Sequence, residues 1–404
     1  MPSTSFWRSP VFVLVAAALI IFMAFGIRQS MGLYMRPISE GLGWGREVLS
    51  IALATQNLLI GIAAPFFGAL ADKWGPPKTL ALGGIFFALG LLTMSQATTP
   101  FMMFTGAGLI TGIGLGACGM PLVLATVSQV APEEKRSLWV GVITTFGTGG
   151  QLLVVPTSQS MISNVDWTSG IILLTLMASI IIPIALAMSK AITPETGKDT
   201  SLNIREALAE AFHHRGYKLL TAGFFVCGFH VAFMAIHLPA YVNDRYDVAD
   251  LGATALMLIA FFNMIGAWTS GWLGGRYSKK YLLTGIYSAR ALVMTGFLVL
   301  PTTPITVVIF SALIGLLWLS TVPVTSGLVS QIFGLRYMGM LFGIVFLSHQ
   351  VGAFAGVWLG GRVYDATGSY DAVWWMAIAL AVASALIHLP INDQPVARLS
   401  RTTA

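Results

Sequence analysis

The chain has 404 residues, 56% of them hydrophobic and 9% charged, with a formal net charge of +6. Soluble domains carry about 25% charged residues, so this composition excludes a single water-soluble core and points to lipid as the solvent. Most of the basic residues sit between or at the ends of apolar runs, a pattern of membrane topology that argues against a nucleic-acid-binding face.

A spanning helix needs roughly 20 mostly apolar residues. Twelve segments meet this: about 11–35, 47–71, 79–97, 101–128, 138–162, 167–189, 219–242, 251–274, 281–300, 304–331, 338–362 and 372–390. The first follows Arg8 but has no small-residue cleavage site behind it, so it reads as a span and not a signal peptide. Cys118 and Cys227 fall inside apolar runs and form neither a disulfide framework nor a metal pattern. With the N-terminus placed in the cytoplasm, sixteen Lys and Arg residues face inward, four face outward, and Arg28 and Arg290 lie within spans. That bias places both termini in the cytoplasm. The polar stretch 190–218 is then a cytoplasmic linker, and its LNIREALAEAF segment is amphipathic.

The two halves echo each other about 200 residues apart. Pro121, Ser128, Gln129 and Arg136 recur as Pro323, Ser330, Gln331 and Arg336, and the loop GALADKWGPPK recurs as GWLGGRYSKK. The expected fold is an all-α membrane protein: two pseudo-symmetric six-helix bundles, 1–189 and 219–404, with substrate held near the midplane.

All sixteen acidic residues lie in loops or at helix ends. The deep ionisable groups are Arg28, His230, Arg290 and His349, with His237 and His388 nearer the ends of their spans. A basic interior without acids of its own favours an anion that enters and leaves. Arginine suits a carboxylate because its planar fork donates two hydrogen bonds. The competing reading of Arg28 is snorkelling to the headgroups. His349 and His230 are the candidates for proton coupling, because imidazole titrates near neutral pH. A structural hydrogen bond to a neighbouring helix is their alternative, and Arg290 is expected to bind a backbone carbonyl or a polar group on a neighbour, with substrate contact as its alternative. Asn57, Gln151, Asn263 and Tyr34 complete a candidate substrate site, with Gln56 and Thr321 among the other polar groups within spans.

Twelve spans, a central linker and the loop Gly68-x-x-x-Asp72-Lys73-x-Gly75-x-x-Lys78 resemble the major facilitator superfamily. Pro77 stands where that family usually has a basic residue. The resemblance implies alternating access and a gating role for Asp72, Lys73 and Lys78, with Arg136, Arg276 and Arg336 at related inner loops. Within it, RQSMGLYMRPI is similar to the monocarboxylate and oxalate–formate branch, which places a basic residue where Arg28 stands. The arginine that branch carries in its eighth span is absent here, with Asn263 and Ala267 in that region.

The sequence therefore leads us to expect a secondary transporter of a small, monocarboxylate-like organic anion, a monomer in a bacterial inner membrane, with proton coupling. Export of hydrophobic drugs and a transporter-like membrane sensor are the alternatives. No His-Glu-x-x-His pattern, paired acid set or Gly-x-Ser-x-Gly elbow points to an enzyme, and no cofactor or resident metal is expected.

Overall fold

In hydrocarbon every backbone N–H and C=O must be satisfied within its own segment, which selects helices for sequence of this kind. The computed structural model describes residues 9–132, 136–190, 204–245, 250–301, 303–333 and 338–396, and the regular secondary structure among these is helical. Eleven segments among them are long and apolar enough to cross a membrane. The fifth expected span folds as a 29-residue helix, Arg136–Asn164, about 43 Å long. Its polar residues, Thr144, Thr145, Thr148, Gln151 and Gln159 among them, dilute its hydropathy without shortening it. Phe66, Phe101, Trp268 and Leu292 are 71%, 77%, 73% and 74% exposed on helix surfaces, an outward apolar coat that lipid solvates and water does not.

Contacts divide the chain into two compact units. The first comprises Met1–Lys198 and Ala235–Met257. It contains α1 (Pro10–Ser30), a 3₁₀ turn (Met31–Tyr34), α2 (Met35–Leu42), α3 (Arg46–Trp74) and α4 (Pro76–Ser95). A segment of α5 (Pro100–Met103), a π-helical turn (Phe104–Ile110), α6 (Thr111–Cys118) and α7 (Met120–Val130) follows. Then come α8 (Arg136–Asn164) and α9 (Trp167–Ala187). Proline opens α1 and α5, where its missing N–H is unneeded, and Ser9 and Thr99 cap the two helices with their side chains. Glycines let α1 and α8 touch backbone to backbone: a Cβ on Gly150 would lie 1.9 Å from the Phe22 carbonyl oxygen, and one on Gly26 2.7 Å from that of Gly150.

The second unit comprises Asp199–Met234 and Leu258–Ala404. It holds α10 (Ile204–His213), most of α11 (Arg215–Arg245) and most of α12 (Leu251–Gly274). The rest is α13 (Lys279–Val299), α14 (Pro304–Leu317), α15 (Thr321–Phe333), α16 (Met338–Thr367) and α17 (Asp371–His388). The tenth expected span is thus broken between Leu317 and Thr321.

The last turns of α11 and the first turns of α12 belong to the first unit. Arg46 pairs with Asp244 at 2.7 Å, and the two side chains are only 7% and 24% exposed. Partial burial strengthens the pair relative to a surface ion pair. A double-mutant cycle with Arg46→Ala and Asp244→Ala, read by thermal unfolding, is expected to give a coupling of about 1 kcal/mol. A coupling near zero would remove this pair from the account of how the segment is held.

Candidate functional site

In the first unit Arg28 lies in the last turn of α1 and is half-buried. Its hydrogen bond is to a neighbouring helix and not to a loop acid. Its Nη2 donates to Asn57 Oδ1 on α3 at 2.5 Å. Asn57 Nδ2 donates to the Leu53 carbonyl one turn earlier on α3, and this turns Oδ1 toward the arginine. Two side-chain ion pairs, Arg36 with Glu40 and Arg46 with Asp244, leave Arg28 out. A guanidinium donates five N–H groups, so a neutral amide on one of them leaves the fork able to take a carboxylate.

Two glutamines flank this pair. Gln56 Nε2 donates to the Ala107 carbonyl in the π-helical turn, 2.8 Å away. Gln29, next to Arg28, donates to Gln151 Oε1 at 3.4 Å, and Gln151 Nε2 in turn donates to the Leu256 carbonyl. Gln151 is therefore placed beside the Arg28 turn but committed to backbone. Tyr34 is fully buried, with its hydroxyl where a Cβ on Gly170 would meet it at 2.8 Å. The sequence reading missed Gln29, whose polarity at the end of an apolar run was the available signal.

His230 is fully buried, and its Nε2–H donates to the Ala377 carbonyl on α17 at 2.8 Å. His349 is 7% exposed, its ring parallel to Phe346 and tilted over Phe224, with Nδ1 at 3.1 Å from Gln350 Oε1. Asn263 and Arg290 serve the break between α14 and α15. A broken helix leaves carbonyls and an amide without intrahelical partners. Arg290 donates through Nε and Nη2 to the Leu317 carbonyl and through Nη2 to that of Trp318, while Leu319 N–H donates to Asn263 Oδ1. The backbone-carbonyl reading of Arg290 is the one observed.

The gating candidates are placed unevenly. Lys73 and Lys78 are exposed on either side of Gly75, whose φ of 90° lies in the left-handed region that glycine tolerates. Arg276 lies over the Trp272 ring at 3.9 Å. The side chains of Asp72 and Arg136, and the whole of Arg336, lie outside the described residues.

Known proteins resemble this chain across its length. The family model of the Major Facilitator Superfamily matches residues 14–357. The uncharacterized MFS-type transporter YcxA of Bacillus subtilis (strain 168) is 23% identical over 410 residues, 97% of each chain. Monocarboxylate transporter 13 of Rattus norvegicus is 25% identical over 402 residues, 91% of this chain and 86% of its own. A crystal structure of the nucleoside transporter NupG shares the fold, with a TM-score of 0.76 at 16% identity over 94% of this chain and 99% of that one. With its apolar helices and a family match over most of its length, the chain belongs to the Major Facilitator Superfamily and is an integral membrane transporter.

Proposed function

We propose that this transporter carries a small organic anion of the monocarboxylate class across a bacterial cell membrane, and that Arg28 grips the carboxylate. One observation carries the reading: a half-buried guanidinium within a span whose hydrogen bond goes to the neutral Asn57 and not to an acid. The relatives named as monocarboxylate transporters support the substrate class. Asn57 holds the guanidinium in place while the cargo arrives. A membrane potential, negative inside, opposes anion entry by about 2.3 kcal/mol per charge per 100 mV, so net uptake needs a co-transported proton. His349 and His230 are the candidates that the sequence offers for it. Both termini face the cytoplasm in this reading, and Asp72, Lys73, Lys78, Arg136, Arg276 and Arg336 act at inner loops as the chain alternates its access.

A thermal-shift screen of the purified protein against carboxylates, amines and neutral drugs tests the class. A ligand at 100 times its dissociation constant stabilises by about 2.7 kcal/mol, and carboxylates are the expected hits. Stabilisation by amines alone would overturn the proposal. A second experiment addresses the residue pair. Asn57→Asp supplies the guanidinium with a resident carboxylate, so it is expected to raise the melting temperature and to lose the carboxylate shift. A variant that keeps the full shift would place the anion elsewhere.

A further inference from the structure

The second unit contains a buried positive charge. Arg290 is 1% exposed near the middle of α13. Its Nε and Nη2 are engaged with the Leu317 and Trp318 carbonyls, while Nη1 is buried with no hydrogen-bond partner. Dipoles soften a buried positive charge but do not cancel it, and an uncompensated charge in low dielectric is costly. The ionisable atom against it is the Cys227 sulfur on α11, 3.8 Å from Nη2. Cys227 is fully buried, and its Sγ lies 3.1 Å from Thr321 Oγ1 at the start of α15. His349 on α16 lies beside the same sulfur. Four helices thus bring a thiol, a guanidinium, a hydroxyl and an imidazole to one point.

Among the described residues, Tyr287, His388 and His230 are the other titratable groups around this point. On α13 Tyr287 has the Arg290 guanidinium 5.3 Å from its ring and donates its hydroxyl to the Gly223 carbonyl. From α17 His388 stacks on Tyr287 at 5.1 Å. His230 lies three residues along α11 and is spent on the Ala377 carbonyl. Gln350 Oε1 only accepts, so His349 Nδ1 carries the imidazole proton and Nε2 is the basic atom.

We propose that Cys227 is the buried acid of the second unit: a thiolate paired with Arg290 whose protonation and deprotonation supply the proton of the transport cycle. On ionisation the S–H bond breaks, the sulfur keeps the electron pair, and the proton passes to His349 Nε2. Thr321 donates its hydroxyl to the resulting anion. A thiol beside a guanidinium and an imidazole is the environment in which cysteine ionises. The ligand of this site is the proton. The charge pair is independent of the cargo, but its use in coupling rests on the anion-transport reading.

The test uses the whole chain in detergent. Thiolates absorb near 240 nm, and subtracting the spectrum of Cys227→Ser from that of the unsubstituted protein removes the contribution of Cys118. At about pH 7.5 the difference band is expected to be present, and it should fade reversibly toward about pH 5. Arg290→Met should lose the band, and Arg290→Lys should keep it. Absence of the band at about pH 7.5 overturns the pair. A band that persists unchanged to about pH 5 overturns the proton-carrying role, and a band retained in Arg290→Met overturns the partner. None of these readouts depends on a carboxylate binding at Arg28, so failure of this proposal and failure of the anion reading are distinguishable.

Discussion

Arg28→Gln is expected to abolish the stabilisation of the protein by monocarboxylates while leaving its fold intact. The glutamine amide can still donate to Asn57 Oδ1, so the link between α1 and α3 has a replacement. What disappears is the charge and the second arm of the fork. Hydrogen bonds to charged groups contribute about 1.5–3 kcal/mol each, so two of them give about 3 kcal/mol or more. That corresponds to a loss of affinity of roughly 100-fold or greater. Arg28→Lys keeps the charge without the planar geometry, and an intermediate loss is expected. The measurement is the melting-temperature shift of the purified variants over a pyruvate or benzoate titration, with choline as the cationic control. A glutamine variant that responds to carboxylates like the parent would move the anion site away from α1.

Arg28 also shows where sequence reading succeeds and where it stops. A charge inside an apolar run is visible in one dimension, and so are the apolar runs that set the expected spans. Its partner is 29 residues away on another helix, and nothing local distinguishes Asn57 from the neighbouring Gln56 as the group it meets. The break between α14 and α15 was hidden for the same reason. Residues 304–331 read as one apolar span, and the break is stabilised by Arg290 and Asn263 from two other helices. Local pattern cannot report a backbone satisfied from elsewhere. The π-helical turn at Phe104–Ile110, inside an expected span, is likewise tied by Gln56 from α3. Cys227 was legible only as a hydrophobe, because a thiol in an apolar run packs like one until its neighbours are known. The expectation for Arg290 succeeded because a buried guanidinium has few options, and carbonyls freed at a helix break are among them.

A second large effect is expected at Gly352. In the second unit α11 and α16 approach so closely that a Cβ at Gly352 would sit 2.0 Å from the Phe225 carbonyl oxygen and 3.1 Å from the Phe229 amide nitrogen. Reciprocally, a Cβ at Gly228 would lie 1.8 Å from the His349 carbonyl oxygen, and one at Gly356 2.5 Å from that of Phe229. These obstacles are backbone, so no side chain can turn aside to make room. Gly352→Val must push the helices apart or bend one of them, forfeiting packing along the whole contact. Overpacking of this kind costs about 3 kcal/mol, roughly a 5–10 °C fall in melting temperature for a unit of this size. Gly343→Ala on the same helix is the control: a Cβ there meets nothing within 4 Å, and alanine's helix propensity favours it by up to about 1 kcal/mol. The two variants should therefore move the melting temperature in opposite directions. Because Cys227 and His349 are carried on the two helices being separated, Gly352→Val should also make Cys227 reactive toward a maleimide that leaves it untouched in the parent. Equal melting temperatures for the two glycine variants would show that the helices have slack at this contact, and the positioning of His349 against Cys227 would then need another cause.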